Sequence, residues 1–171
     1  MIIIVEGIDR VGKTTLVNRI HMETNYPVYR HVGDRDFTKV QNEVETDKFL
    51  QLIEMCKITH STVIFDRFHW SDFVYGSVQR DYNFTTALKN KDKVESALKE
   101  HGAIIVLVCP TDIERSSCEH GIDLHRHERL FRFAFSESKI DKFICTYETI
   151  NEAALWVKDK IKKDVSEDKS C

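Results

Sequence analysis

Two prolines and six glycines are few for 171 residues, and no stretch concentrates them. That scarcity excludes collagen-like, proline-rich and Gly/Ser-linker architectures, and no internal repeat is present. Five cysteines (Cys56, Cys109, Cys118, Cys145 and Cys171) are scattered and odd in number, with no CxxC pair. A disulfide framework is excluded, and small buried hydrophobes in a reducing cytosol are expected instead. The opening run MIIIV meets Glu6 and Gly7 after five residues. It is too short for a signal peptide or a membrane span, so a cytoplasmic protein with no membrane partner is expected. Basic excess is also missing: 25 Lys and Arg face 28 Asp and Glu, a net charge of −3. No global positive field invites DNA, which is not expected as a partner.

Strand-length apolar runs recur at Ile2–Val5, Pro27–Val32, Thr62–Phe65, Ala103–Cys109 and Phe143–Tyr147. The first, third and fourth are nearly continuous Ile, Val, Leu and Phe, as in strands of a parallel sheet covered on both faces. Helical spacing falls between them: Thr14–Met22, Val40–Thr59, Ser71–Val78, Lys91–Glu100, Leu124–Ser138 and Asn151–Lys162. In the second helix Val44, Phe49, Leu52, Ile53 and Cys56 share a side. The alternation predicts a three-layer α/β fold with a five-stranded parallel sheet flanked by helices. One domain is expected over 1–163, followed by a frayed polar tail, 164–171.

The frame Gly7-x-x-x-x-Gly12-Lys13-Thr14 follows the first strand and opens a helical pattern of Leu16, Val17 and Ile20. That context identifies a P-loop, in which glycines let successive N–H groups turn inward around phosphate. The helix N-terminus adds partial positive charge. Gly7, Val11, Gly12, Lys13, Thr14 and Thr15 are therefore assigned to ATP. Lys13 would reach the β- and γ-phosphates, Thr14 would ligate Mg²⁺, and Thr15 would add a hydroxyl near the α-phosphate. The loop alone does not choose among GTPase, ATPase and kinase.

The segment TVIFDRFHWSDFVYG makes that choice. Asp66 ends an apolar strand, at the edge where parallel sheets gather ligands, and is placed to hold Mg²⁺. Arg67 follows at once and suits a second phosphate, because guanidinium binds phosphate bidentately. An Asp-Arg turn at a strand end is commonplace in isolation; the P-loop upstream gives this one its functional reading. No Asn-Lys-x-Asp stretch reads guanine, which argues against a GTPase switch.

Together, EGIDRVGKTT and DRFHWSDFVYG resemble the thymidylate kinase family of nucleoside monophosphate kinases, in the subgroup with an arginine in the P-loop. The family pattern Asp-Arg-x-x-x-Ser-x-x-x-aromatic is met by Asp66, Arg67, Ser71 and Tyr75. The resemblance implies the P-loop kinase fold with a short lid at about 116–128, ATP and Mg²⁺ as cofactors, nucleotides as partners and a homodimer through outer helices. It also implies roles. Asp9 approaches the acceptor's 3′-hydroxyl, Arg67 holds its phosphate, and Ser71 and Tyr75 complete the acceptor site, the tyrosine ring excluding a 2′-hydroxyl. Arg10 bridges the phosphoryl group in flight, so Arg10, Lys13, Asp9 and Arg67 form the catalytic set. Arg115 stacks on adenine.

The sequence departs from the family in two places. Where the family has an Arg-x-Pro-Gly turn, this chain reads YRHVGDRDF, leaving Arg30 and Arg35 as candidates for the acceptor phosphate. Arg35 is preferred because it follows the Gly33 turn. The helix over the base pocket offers Phe49, Gln51, Glu54 and Lys57 but no arginine, so the base stays open. In the lid, Arg126 and Arg129 share a helix face and either close over phosphates or form a solvated basic face. Cys118, His120, His125 and His127 do not have zinc-finger spacing, and these histidines are expected at the surface or near phosphate. The leading expectation is phosphorylation of a deoxynucleoside monophosphate. One alternative is a kinase acting on a hydroxyl of a nucleoside or modified DNA base, with Glu6 or Asp9 as general base. The other is a non-catalytic nucleotide-binding regulator.

Overall fold

A computed structural model describes residues 1–30, 42–80, 82–111 and 124–167. Five parallel strands form one sheet: β1 (Ile2–Glu6), β2 (Val28–Arg30), β3 (Val63–Asp66), β4 (Ile104–Cys109) and β5 (Asp141–Thr146), in the order β2-β3-β1-β4-β5. Six helices among the described residues flank it: α1 (Lys13–Thr24), α2 (Asn42–Ile58), α3 (His69–Gln79), α4 (Phe84–Glu100), α5 (Leu124–Glu137) and α6 (Ile150–Glu167). This is the expected α/β architecture. Every residue of β1 and of β4 is buried, because helices cover both faces of the central strands. The register places Arg30 beside Asp66 and Asp66 beside Val5. The carboxyl ends of β1, β2 and β3 therefore gather Glu6, Arg30 and Asp66 at one edge, beside the loop from β1 into α1.

Several boundaries differ from the sequence pattern for physical reasons. Helix α4 begins at Phe84, seven residues before the expected Lys91. Asn83 caps it, its Oδ1 accepting from the Thr86 N–H at 3.1 Å, so two helix-poor threonines are held in the first turn. In α2, Val44 is exposed rather than buried. Thr46, Phe49, Ile53 and Cys56 fall at steps of three and four along the buried side, and Val44 lies out of that phase. Helix α6 runs to Glu167, into the expected tail, and Ile161, just before that tail, packs against the core.

Lys142, at the start of β5, donates to the carbonyls of Phe135, Ser136 and Ser138. The ammonium thus neutralises the negative C-terminal end of α5 and fixes that helix on the sheet. Cys109 and Cys145 are buried in β4 and β5, and burial pushes their thiols up to about 11 and about 12. Such thiols are neutral and unreactive near pH 7, as expected of core residues. Cys118 and Cys171 lie outside the described residues. Among the described residues, no helix is long and apolar enough to cross a membrane.

Candidate active site

The β1–α1 loop takes its shape from backbone that few side chains tolerate. Gly12, the N-cap of α1, has φ +98°, and a Cβ there would lie 2.6 Å from the Tyr147 ring. Gly7, at φ +139°, runs so close to β4 that a Cβ would meet the Val108 carbonyl oxygen at 2.2 Å. Arg10 also adopts left-handed backbone, φ 63°, as does Arg67 at the β3–α3 turn, φ 73°. Left-handed backbone costs an L-residue roughly 1–2 kcal/mol. Outliers of this kind collect at working sites, and both arginines border one cavity.

That cavity measures about 330 Å³ and is lined by Asp9, Arg10, Gly12, Lys13, Thr14, Asp66 and Arg67. Seven residues assigned from two distant motifs thus share one space. Lys13 is buried, its ammonium donating to the Ile8 carbonyl. Burial, reinforced by the nearby Arg67 charge, pulls its pKa down to about 7, against the opposing pull of Asp9, Asp66 and Glu6. A lowered lysine pKa means the unfolded chain binds more protons than the folded one between about pH 7 and 10.5. Folding stability from this group therefore rises with pH across that window and is lowest below it.

Arg67 donates from Nη1 to the Gly7 carbonyl (3.2 Å), Ser71 Oγ (3.2 Å) and Tyr75 Oη (3.4 Å), and from Nη2 to Asp9 Oδ1. Its guanidinium lies over the Tyr75 ring, 5.2 Å from the centroid. The Tyr75 hydroxyl donates in turn to Asp9 Oδ2 at 3.3 Å. Burial raises the Tyr75 pKa to about 12, so this donor keeps its proton at physiological pH. Asp9, Arg67, Ser71 and Tyr75 are brought together as one cluster. Asp66 also lines the cavity, with Arg30 Nε 3.8 Å from its Oδ2.

The structure separates other candidates from the cavity. Phe49, expected against the acceptor base, is 2% exposed and packs on Phe68 with ring centroids 4.5 Å apart. It fills a tight cleft between α2, α3 and α4 because its turn of α2 faces the sheet core. Val11 is buried beneath the loop, and Thr15 is exposed on α1 outside the cavity lining. Arg126 and Arg129 are exposed on α5 and do not line the cavity. His127, expected at the surface or near phosphate, is fully buried, its ring 4.8 Å from that of Tyr75 in the Arg67 cluster and its Nε2 3.3 Å from Gln79 Nε2. Its position on the Phe131 and Ala134 side of α5 explains the difference. Arg35, Arg115 and residues 116–123 of the expected lid lie outside the described residues.

Glu6 has a role that the sequence pattern did not reveal. It is 0% exposed, and its Oε1 accepts from the N–H groups of Phe68 (2.9 Å), Trp70 (3.1 Å) and Ser71 (3.2 Å). Its Oε2 accepts from Ser71 Oγ at 2.6 Å. Phe68, the N-cap of α3, supplies no side-chain cap, so a carboxylate from another element satisfies the helix start. The available signal was an acid ending one strand beside an uncapped helix after the neighbouring strand.

No family model matches the chain. Across 171 residues it is 23% identical to the SPbeta prophage-derived protein YorR of Bacillus subtilis (strain 168), covering 96% of each sequence. The crystal structure of Bacillus subtilis YorR in complex with phosphorylated GDP superposes with a TM-score of 0.74 at 22% identity. That match covers 97% of this chain and 98% of the other. Thymidylate kinase from Ehrlichia chaffeensis gives 0.60 at 17% identity, covering 92% and 97%. Deoxyadenosine kinase from M. mycoides, with products dCMP and dCDP bound, gives 0.55 at 13%, covering 95% and 100%. The shared property is the P-loop kinase fold.

Proposed function

We propose that the protein is an ATP- and Mg²⁺-dependent phosphotransferase acting on a deoxynucleoside monophosphate. The observation that carries this reading is the placement of Lys13 and Arg67, from separate elements, on one cavity. A hydrolase needs one phosphate cradle, whereas transfer between nucleotides needs two that face each other. Lys13, the loop amides and Thr14 would hold the donor, with Arg115 toward its base. Arg67, with Asp9, Ser71 and Tyr75, would hold the acceptor, aided by Arg35. Asp66 and Thr14 offer a carboxylate and a hydroxyl to the same space, the hard oxygen donors Mg²⁺ takes. The ion would supply neutralisation of phosphate charge. The acceptor phosphate is already anionic near neutral pH and needs no general base. A hydroxyl acceptor would need one, and Glu6 is sealed from the cavity under α3. That burial removes Glu6 as a base and leaves Asp9, which lines the cavity, as the carboxylate a hydroxyl acceptor would use.

The YorR complex with phosphorylated GDP supports a nucleotide ligand and places guanine nucleotides on the test panel. The test is ADP release from ATP·Mg²⁺ with nucleoside monophosphates, nucleosides and single-stranded DNA as acceptors. Turnover with a deoxynucleoside monophosphate supports the reading. Turnover confined to nucleosides or DNA overturns it, and donor binding without any turnover favours a regulator.

The lowered Lys13 pKa gives a second expectation. A bound triphosphate restores the charged form, so binding takes up protons at pH 8 and progressively fewer as the pH falls below about 7. Calorimetric titrations in buffers of different ionisation enthalpy measure this directly. Equal heats across buffers at pH 8 would refute the assignment.

A further inference from the structure

We propose that Glu6 is the positioning residue that holds Arg67 in its working geometry. The inference rests on the reading of Arg67 as the acceptor's phosphate ligand. Three amides from the turn that follows Arg67 converge on one buried oxygen of Glu6. The Arg67 N–H itself is tied to the Val5 carbonyl at 3.0 Å, one residue before Glu6 on β1. Backbone on both sides of the left-handed Arg67 is therefore anchored to the end of a single central strand.

The second oxygen of Glu6 controls the side chain. Ser71 has one hydroxyl proton, and it is directed to Glu6 Oε2. The hydroxyl then presents only lone pairs to Arg67 Nη1, 3.2 Å away. Glu6 thus orders Arg67 twice, through the turn and through Ser71, without touching the cavity. Nothing in this arrangement asks Glu6 to accept a proton from a substrate.

Two conservative variants separate positioning from acid–base work because they rank in opposite orders. Glu6→Gln keeps an oxygen for the three amides and reverses the bond to Ser71. It is expected to hold acceptor kcat/KM within about tenfold of wild type, the scale of one hydrogen bond. Glu6→Asp keeps the carboxylate but withdraws it by ~1.5 Å, the length of one C–C bond. Displacement on that scale costs about 10²-fold, expected mainly in acceptor KM, with the ATP KM within about threefold. If Glu6 were a general base, Asp would outperform Gln and the loss would fall in kcat.

The Arg67 side-chain Nε–H resonance supplies a readout that needs no turnover. A sharp, slowly exchanging signal in wild type and Glu6→Gln, broadened in Glu6→Asp, supports the proposal whichever acceptor is used. Broadening in Glu6→Gln with a sharp signal in Glu6→Asp overturns it, as does an unchanged signal in both. Absence of nucleotide turnover in wild type with the first NMR pattern would defeat the kinase reading and leave the positioning role standing.

Discussion

Arg10→Ala is expected to lower kcat by roughly 10³–10⁵, the range over which a cis-acting arginine contributes to phosphoryl transfer. Arg10 lines the cavity between Asp9 and Gly12, on backbone that an arginine adopts only at a cost. Arg10 and Lys13 border the same space, so a second cation would face the charge that builds on the transferred group. The loop amides do not depend on the Arg10 side chain, so ATP affinity should change by less than about threefold. Arg10→Gly should match the alanine variant in kcat yet unfold at a higher temperature, because glycine relieves the left-handed backbone at φ 63°. Saturating-substrate kinetics and thermal melts check both statements. A kcat within a few-fold of wild type would move the charge to Arg126 and Arg129 and sink the Arg10 assignment.

The second large effect belongs to Arg67. Arg67→Ala should reduce acceptor kcat/KM by about 10³-fold, since truncating one partner of a charge pair that a bound acceptor would desolvate costs about 2–5 kcal/mol. The guanidinium has four hydrogen-bonding partners from the P-loop and α3, and its removal leaves Asp9 without its ion pair. Arg67→Lys should recover little, because an ammonium cannot reproduce the planar fork across Gly7, Ser71 and Asp9. Donor binding is expected to survive both changes, with ATP affinity within about threefold, because Lys13, Gly12 and Thr14 would form the donor side. Equal losses for donor and acceptor would show that Arg67 supports the loop rather than a second substrate.

The P-loop and the Asp66–Arg67 strand end were legible in sequence because each is a local pattern. The strand–loop–helix context fixes where Gly7, Gly12 and Lys13 lie, and a parallel sheet brings the carboxyl ends of β1 and β3 together. Strands β1, β3 and β4 were readable from continuous apolar runs. Less legible were features set by partners remote in the chain. Glu6 and the start of α3 are more than sixty residues apart, so no spacing announces their hydrogen bonds. Phe49 has the same hydrophobicity whether it faces a ligand or Phe68, and only packing decides. His127 is polar by type, but the phase of α5 turns it inward beside Tyr75. The early start of α4 depends on one asparagine cap outweighing two threonines.

The ion pair between Arg67 and Asp9 changes how the pocket selects among anions. The arginine already has a carboxylate counter-ion, Asp9, which is half exposed and also accepts from the Tyr75 hydroxyl. An incoming phosphate must exchange with that carboxylate rather than fill an empty positive hole. Inorganic phosphate or sulfate offers charge alone and would leave the displaced carboxylate to solvent. On the proposed reading, a nucleotide would bring a phosphate for Arg67 together with a sugar hydroxyl for the displaced carboxylate. On that reading, the internal counter-ion would favour anions that carry a sugar over small anions of the same charge.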